Sequence, residues 1–143
     1  MKTRIIRTSF VALAGLGLIG SLAACNQQVA TAEVGECVNS DDLMGEITEI
    51  PTVDCSEEHD SQVIGKFDIE DGDFPGQEGI SAAAEEGCRE AFESFVGISF
   101  DESSLQMTYV GPSQDTWDQA NDREVICFAV GESTTESWEG AAI

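Results

Sequence analysis

Hydrophobic and polar residues alternate most cleanly in SQVIGKFDIE, residues 61–70, where Val63, Gly65, Phe67 and Ile69 fall on one side and Gln62, Lys66 and Asp68 on the other. A two-residue period predicts a half-buried strand. Over residues 81–96 the period lengthens. Ala84, Cys88, Ala91, Phe92 and Phe95 share a face that Glu85, Glu86, Arg89, Glu90 and Glu93 largely avoid, which predicts an amphipathic helix pointing Cys88 into the core, capped by Ser81 and left through Gly97. EVICFAV, residues 124–130, is a continuous apolar run bounded by charge and Gly131. It reads as a central strand with Cys127 in its middle. LQMTYV (105–110) is a further strand. EITEIPTVDC (46–55) is a weaker one, interrupted at Pro51 and therefore placed at an edge, and a short strand is expected near Cys37. NSDDLMG (39–45) and DGDFPGQEG (71–79) read as loops, and PSQDTWDQAND (112–122) as a turn with one helical turn around Trp117. The fold class is α+β: a small antiparallel or mixed sheet packed against one main helix. Residues 132–143 hold few core positions and are expected to be a disordered tail.

The N-terminus follows a different pattern. Lys2, Arg4 and Arg7 precede an apolar run over residues 10–24, broken only by glycines and Ser21. A membrane span needs about 20 apolar residues, so this run suits a signal-peptide core better. It ends in LAAC, residues 22–25, which resembles a bacterial lipobox, whose cysteine takes a diacylglyceryl group before cleavage. The organisation expected is a lipoprotein signal peptide over 1–24, a flexible polar tether over 25–33 and one domain over 34–131. Two acyl chains on Cys25 would make attachment to the outer face of the cytoplasmic membrane stable, where a single chain gives marginal binding.

Removing 24 of the 143 residues leaves 119, enough for one core and not two. All 28 acidic residues lie in that part, against Lys66, Arg89 and Arg123, for a formal charge of −25. Nucleic acid is excluded as a partner, because its binding depends on Lys and Arg replacing counterions. A solvated surface, a basic protein patch or divalent cations remain. Disorder is opposed by the 41% of hydrophobic residues and by the periodicities above.

With Cys25 assigned to lipid, Cys37, Cys55, Cys88 and Cys127 are an even set in an exported domain, and two disulfides are the economical reading. Zinc sites use close pairs such as C-x-x-C, whereas the gaps here are 18, 33 and 39 positions. Cys88 on the inner helix face and Cys127 in the central strand look into the same core and are expected partners, leaving Cys37 with Cys55.

Candidate chemistry is sparse. VDCSEEHDSQVIGKF, residues 53–67, contains the single histidine, His59. It has no nucleophile and orienting acid in a recognisable arrangement, and is expected to bond the backbone or Asp60. DIEDGD (68–73) offers carboxylates for calcium, yet taking Gly72 as the turning glycine of an EF-hand loop puts the first ligand on Phe67. No catalytic residue, metal site or cofactor is assigned.

VGEC (34–37), DCSEEHDSQVIGKF (54–67), FPG (74–76), Cys88 in its helix, GPSQDTW (111–117) and NDREVICF (121–128), in that order, resemble the septum-formation-related domain of actinobacterial membrane proteins and lipoproteins. The resemblance covers residues 34–130. Glu58 stands where that family often has proline and Asn121 where it often has glycine; asparagine tolerates the left-handed conformation next best. The motif residues are His59, Trp117, Asp122 and Arg123. The resemblance implies an extracytoplasmic domain linked to cell division and supplies no active site. Trp117 is expected as a lid on the core, and Arg123 as a partner for nearby carboxylates. The expected function is that of a non-catalytic lipoprotein domain interacting with envelope or division proteins. The alternative is a lipoprotein that binds a small molecule or divalent cation.

Overall fold

The computed structural model describes residues 28–143. The expected signal peptide and Cys25, the expected lipidation site, lie outside the described residues. Four strands, β1 (Cys37–Val38), β2 (His59–Asp68), β3 (Gln106–Val110) and β4 (Glu124–Thr134), form one sheet in the order β1-β2-β4-β3, with every neighbouring pair antiparallel. Helix α1 (Gly76–Val96) follows β2, and the short helix α2 (Gln114–Ala120) precedes β4. The architecture is the α+β fold expected, its sheet wholly antiparallel.

The unbroken apolar run of β4 has a direct cause, which is that both faces of the sheet are covered. Val125, Cys127 and Ala129 meet α1 in a cluster with Ile64, Ala84, Phe92 and Trp138. Ile126 and Phe128 point the other way, into a second cluster with Ala32, Val38, Ile50 and Val63. Among the described residues no α-helix belongs to that second cluster. The chain on the N-terminal side of β2 covers it, including one 3-10 turn over Ser40–Leu43, with Ala30, Leu43 and Ile47 packed at its margin.

Three expectations fail here for physical reasons. EITEIPTVDC is not a strand: only Val53 bridges to Cys37, while Ile47 and Ile50 serve as apolar plugs. The expected tether is docked in part, since Ala32 is buried, Thr31 donates to Glu124 (2.7 Å) and Lys66 donates to Glu33 (2.9 Å). The tail over 132–143 is held by Trp138, which is 5% exposed, by Gly140 donating to the carbonyl of Phe95 and by Ala142 donating to that of Val96, both at 2.8 Å. A sparse hydrophobic count hid one anchoring tryptophan and a run of backbone bonds.

β2 departs from strict alternation. Val63 pairs with Phe128 and Gly65 with Cys127, so Ile64 is an extra residue, a bulge. Val63 therefore faces the second cluster, whereas Ile64 turns to α1 together with Phe67 and Ile69. The side shared by Val63 and Phe67 in the sequence reading is split by that one residue.

Helix α1 begins five residues before the expected cap. Gly76 has φ 77°, a left-handed turn that leads out of Pro75, and Gly79 packs where a Cβ would come within 2.6 Å of the Pro75 ring. The glycines that mark a loop in sequence thus serve a turn and a close approach. Ser81 is exposed and makes no cap. Gly97 closes the helix at φ 87°, donating to the carbonyl of Glu93, as expected.

Cys88 is bonded to Cys127 and Cys37 to Cys55, with Cα separations of 5.4 and 5.3 Å. The first ties α1 to the central strand. The second folds residues 39–54 back across β1. Closing loops of 39 and 18 positions removes freedom mainly from the unfolded chain. Replacing Cys88 and Cys127 together by alanine should cost about 4 kcal/mol, and replacing Cys37 and Cys55 about 3 kcal/mol. Urea unfolding of the two double variants and the parent measures both; an 88/127 variant as stable as the parent would refute the account.

Candidate functional site

The motif residues fall into two groups at opposite ends of β4. At the start of β4, Ser113 caps α2 in a capping box with Thr116 (Thr116 N to Ser113 Oγ 3.2 Å, Ser113 N to Thr116 Oγ1 3.0 Å). Asn121 ends the helix at φ 53°. This short helix carries Trp117, 3% exposed, whose Nε1 donates to the carbonyl of Gly72 (3.0 Å) and whose ring meets Phe74 edge-on at 5.7 Å. The Arg123 guanidinium lies 3.7 Å from the centre of the Trp117 ring. Its Nη1 donates to the carbonyls of Trp117 (3.0 Å) and Asp122 (2.9 Å), and its Nε and Nη2 donate to one oxygen of Asp71 (3.1 and 2.8 Å). Asp122 accepts from the amide of Glu124 (3.2 Å). Trp117 and Arg123 thus fasten the acidic loop between β2 and α1 onto the sheet, while Asp122 holds the local turn into β4. The tryptophan is the lid expected, and Arg123 adds two backbone carbonyls to the carboxylate expected of it.

At the far end His59 is the first residue of β2, paired with Thr134 and 1% exposed. Its Nδ1 lies 2.8 Å from the carbonyl of Glu57, so Nδ1 carries the proton and donates. Its Nε2 is buried without a partner among the described residues, and its ring lies 6.0 Å from that of Trp138. Beside it, buried Gln62 satisfies both halves of its amide. Nε2 donates to the carbonyl of Gly35 and to Ser137 Oγ (2.9 Å each), while Oε1 accepts from the amide of Trp138 (2.8 Å). Gln62 therefore clamps the N-terminal segment and the tail to the same strand.

Two other features bear on chemistry. Asp60 accepts from the amide and hydroxyl of Ser40 (2.6 Å each). Partial burial pushes its carboxyl up, but the hydrogen bonds from Ser40 and Ser61 outweigh this and hold it below the usual carboxylate range. The bond from Arg123 likewise holds Asp71 low. An open cleft of about 620 Å³ lies between α2, β3 and the N-terminal segment, lined by Leu43, Ile47, Ile80, Tyr109, Asp122 and Glu124 among others. Only Asp122 among the motif residues reaches it. Gln62, Trp138 and the cleft went unnoticed in sequence, because a glutamine on a strand and a tryptophan in a polar tail look like surface until the strand pairing is known. Among the described residues no three of His, Cys, Asp and Glu converge on a metal-sized point, and no helix is long and apolar enough to cross a membrane.

The profile of the family described as Septum formation matches residues 16–127, spanning both disulfides, the Trp117–Arg123 closure and His59. The chain belongs to the Septum formation family. No curated protein and no solved structure matches it. The family match ends at Cys127, so the Trp138 anchor of this septum-formation domain lies beyond it.

The Arg123 contacts differ in value. The Arg123 side chain is 13% exposed and that of Asp71 82%, so the ion pair is screened while the stacking and carbonyl bonds are not. Arg123→Ala should cost about 2 kcal/mol, whereas Asp71→Asn should leave the urea midpoint nearly unchanged. Equal losses would assign the work to the ion pair.

A folded carboxyl held low contributes stability that is present above the unfolded value, about 3.9 for Asp, and is lost as pH falls through the folded one. The melting-temperature advantage of the parent over Asp60→Asn should therefore be constant near neutrality and shrink below about pH 4. An advantage independent of pH down to 2 would refute the Ser40 clasp.

Proposed function

We propose that this septum-formation domain is a non-catalytic module, held through a lipidated Cys25 at the outer face of the cytoplasmic membrane, that works by binding envelope or division proteins. The observation that carries the reading is where the motif side chains go. His59, Trp117 and Arg123 are turned inward and occupied by backbone carbonyls and aromatic rings. Residues used up in packing leave the surface, and not a reactive centre, to carry out the function. Two disulfides support an oxidising compartment. The division link rests on the family.

The cleft supports a second reading, binding of a small cation-bearing molecule, since four carboxylates, Glu46, Asp115, Asp122 and Glu124, stand in its mixed polar and apolar wall.

Labelled palmitate should enter the parent protein and not Cys25→Ser, and crosslinking in intact cells should recover envelope or division proteins with the parent. Equal labelling of both forms would remove the anchor. Absence of any envelope partner above background, together with a thermal shift in millimolar calcium or an organic amine, would favour the cleft.

A further inference from the structure

β2 is paired on both sides over only part of its length. On its β1 side Ser61 and Gln62 pair with Val38 and Cys37, and Val63 accepts from Gly35 and donates to Glu36 (2.8 and 2.9 Å). Beyond Val63 the chain leading to β1 departs, and among the described residues no backbone bond reaches this edge, although β4 follows the other edge to Asp68. Ile69 donates to the carbonyl of Arg123 (2.9 Å), so strand alternation turns the amides of Lys66 and Asp68 outward. The edge is a template for one more strand.

An open groove of about 930 Å³ runs beside it between β2 and α1. Ile64, Phe67, Ile69, Ala91 and Phe95 give it an apolar floor, and Asp68, Glu70, Glu86 and Glu90 stand along it. α1 comes close enough there that a Cβ on Gly87 would overlap the Phe67 ring and one on Gly65 would overlap Ala91. Among the described residues the one cation at the groove, Lys66, sends its ammonium to Glu33 (2.9 Å) and Glu124 (3.8 Å) and not to the groove acids Glu86 and Glu90.

We propose that this edge and groove receive an extended basic segment of a partner protein as an added strand, with apolar side chains and Lys or Arg on its α1-facing side lying over the trough and against Glu86 and Glu90, and Lys or Arg on its other side meeting Asp68 and Glu70. Main-chain bonds would supply affinity and the alternation specificity. The charge selects the occupant: a second copy, itself at −22, is repelled, and a basic strand is attracted. The inference rests on the reading that the domain acts by binding protein, and names the surface and the chemistry of the partner.

The test is an amide NMR titration of the full chain in detergent with an acetylated, amidated Lys-Lys-Val-Val repeat octapeptide, which puts both residue types on each strand face, and with a Glu-Glu-Val-Val repeat of equal length as control. The expected result is shifts and slowed hydrogen exchange at Lys66 and Asp68 with the basic peptide only. Glu86→Lys combined with Glu90→Lys, both exposed positions, should weaken binding about tenfold while leaving the melting temperature unchanged. Shifts along β3 instead, equal binding of the acidic peptide, or protection of the edge amides before any peptide is added would each overturn the proposal. Cellular capture of envelope proteins that ignores the double variant sinks this surface and leaves the broader reading standing. Peptide binding at the edge with no captured partner supports the surface and sinks the broader reading.

Discussion

The covalent tie between Cys88 and Cys127 sets the spacing between helix and sheet, and most of the architecture follows from that spacing. A Cα separation of 5.4 Å brings the backbone of α1 much nearer to β4 than ordinary side-chain packing would. Residues around the tie must then be small, which accounts for Gly65 and Gly87 and for Ala84 and Ala91 on the facing surfaces. One turn beyond the tie a large group is admitted, Phe92, whose ring meets Phe100 edge-on at 5.3 Å. The Ile64 bulge belongs to the same adjustment: it places a branched side chain against α1 where Gly65 offers none.

Charge explains why such ties are needed. A domain with 28 carboxylates and few cations repels itself, and neither of its cores is large. Its three cations beyond Cys25 are placed with economy, each reaching at least one carboxylate: Lys66 to Glu33 and Glu124, Arg89 to Asp101 and Arg123 to Asp71. Two of them also lie over aromatic rings, Arg89 on Phe100 and Arg123 on Trp117. These contacts fasten loops and do not neutralise the surface. The remaining acids face water, which leaves a strongly negative exterior around an apolar groove.

Legibility in the sequence followed the strength of local patterns. The main helix, the strands β3 and β4 and both disulfide pairings could be read, because each rests on a period, on two side chains facing one core or, for Cys37 with Cys55, on what that pairing leaves. The start of α1 was hidden by glycines whose purpose is close approach to Pro75, a tertiary fact. The bulge at Ile64 carries no composition signal, and the weak alternation over 46–55 came from Ile47 and Ile50, which serve the second core, with only Val53 bridging to a strand. At the site, the inward roles of Trp117 and Arg123 were foreseeable from a turn tryptophan beside a rare cation. Gln62 and Trp138 were not, since their 2.8 Å bond joins residues 76 positions apart.

The order of the strands also governs when the domain can close. β4 is last in the chain, yet it lies between β2 and β3, so neither earlier strand has its principal neighbour until residues 124–134 arrive. Closure then draws in Trp138, whose amide donates to Gln62, and Ser103, which donates to the carbonyl of Ile143. A chain still lacking residues 124–134 therefore holds no finished sheet, and compaction waits on the segment that supplies the central strand.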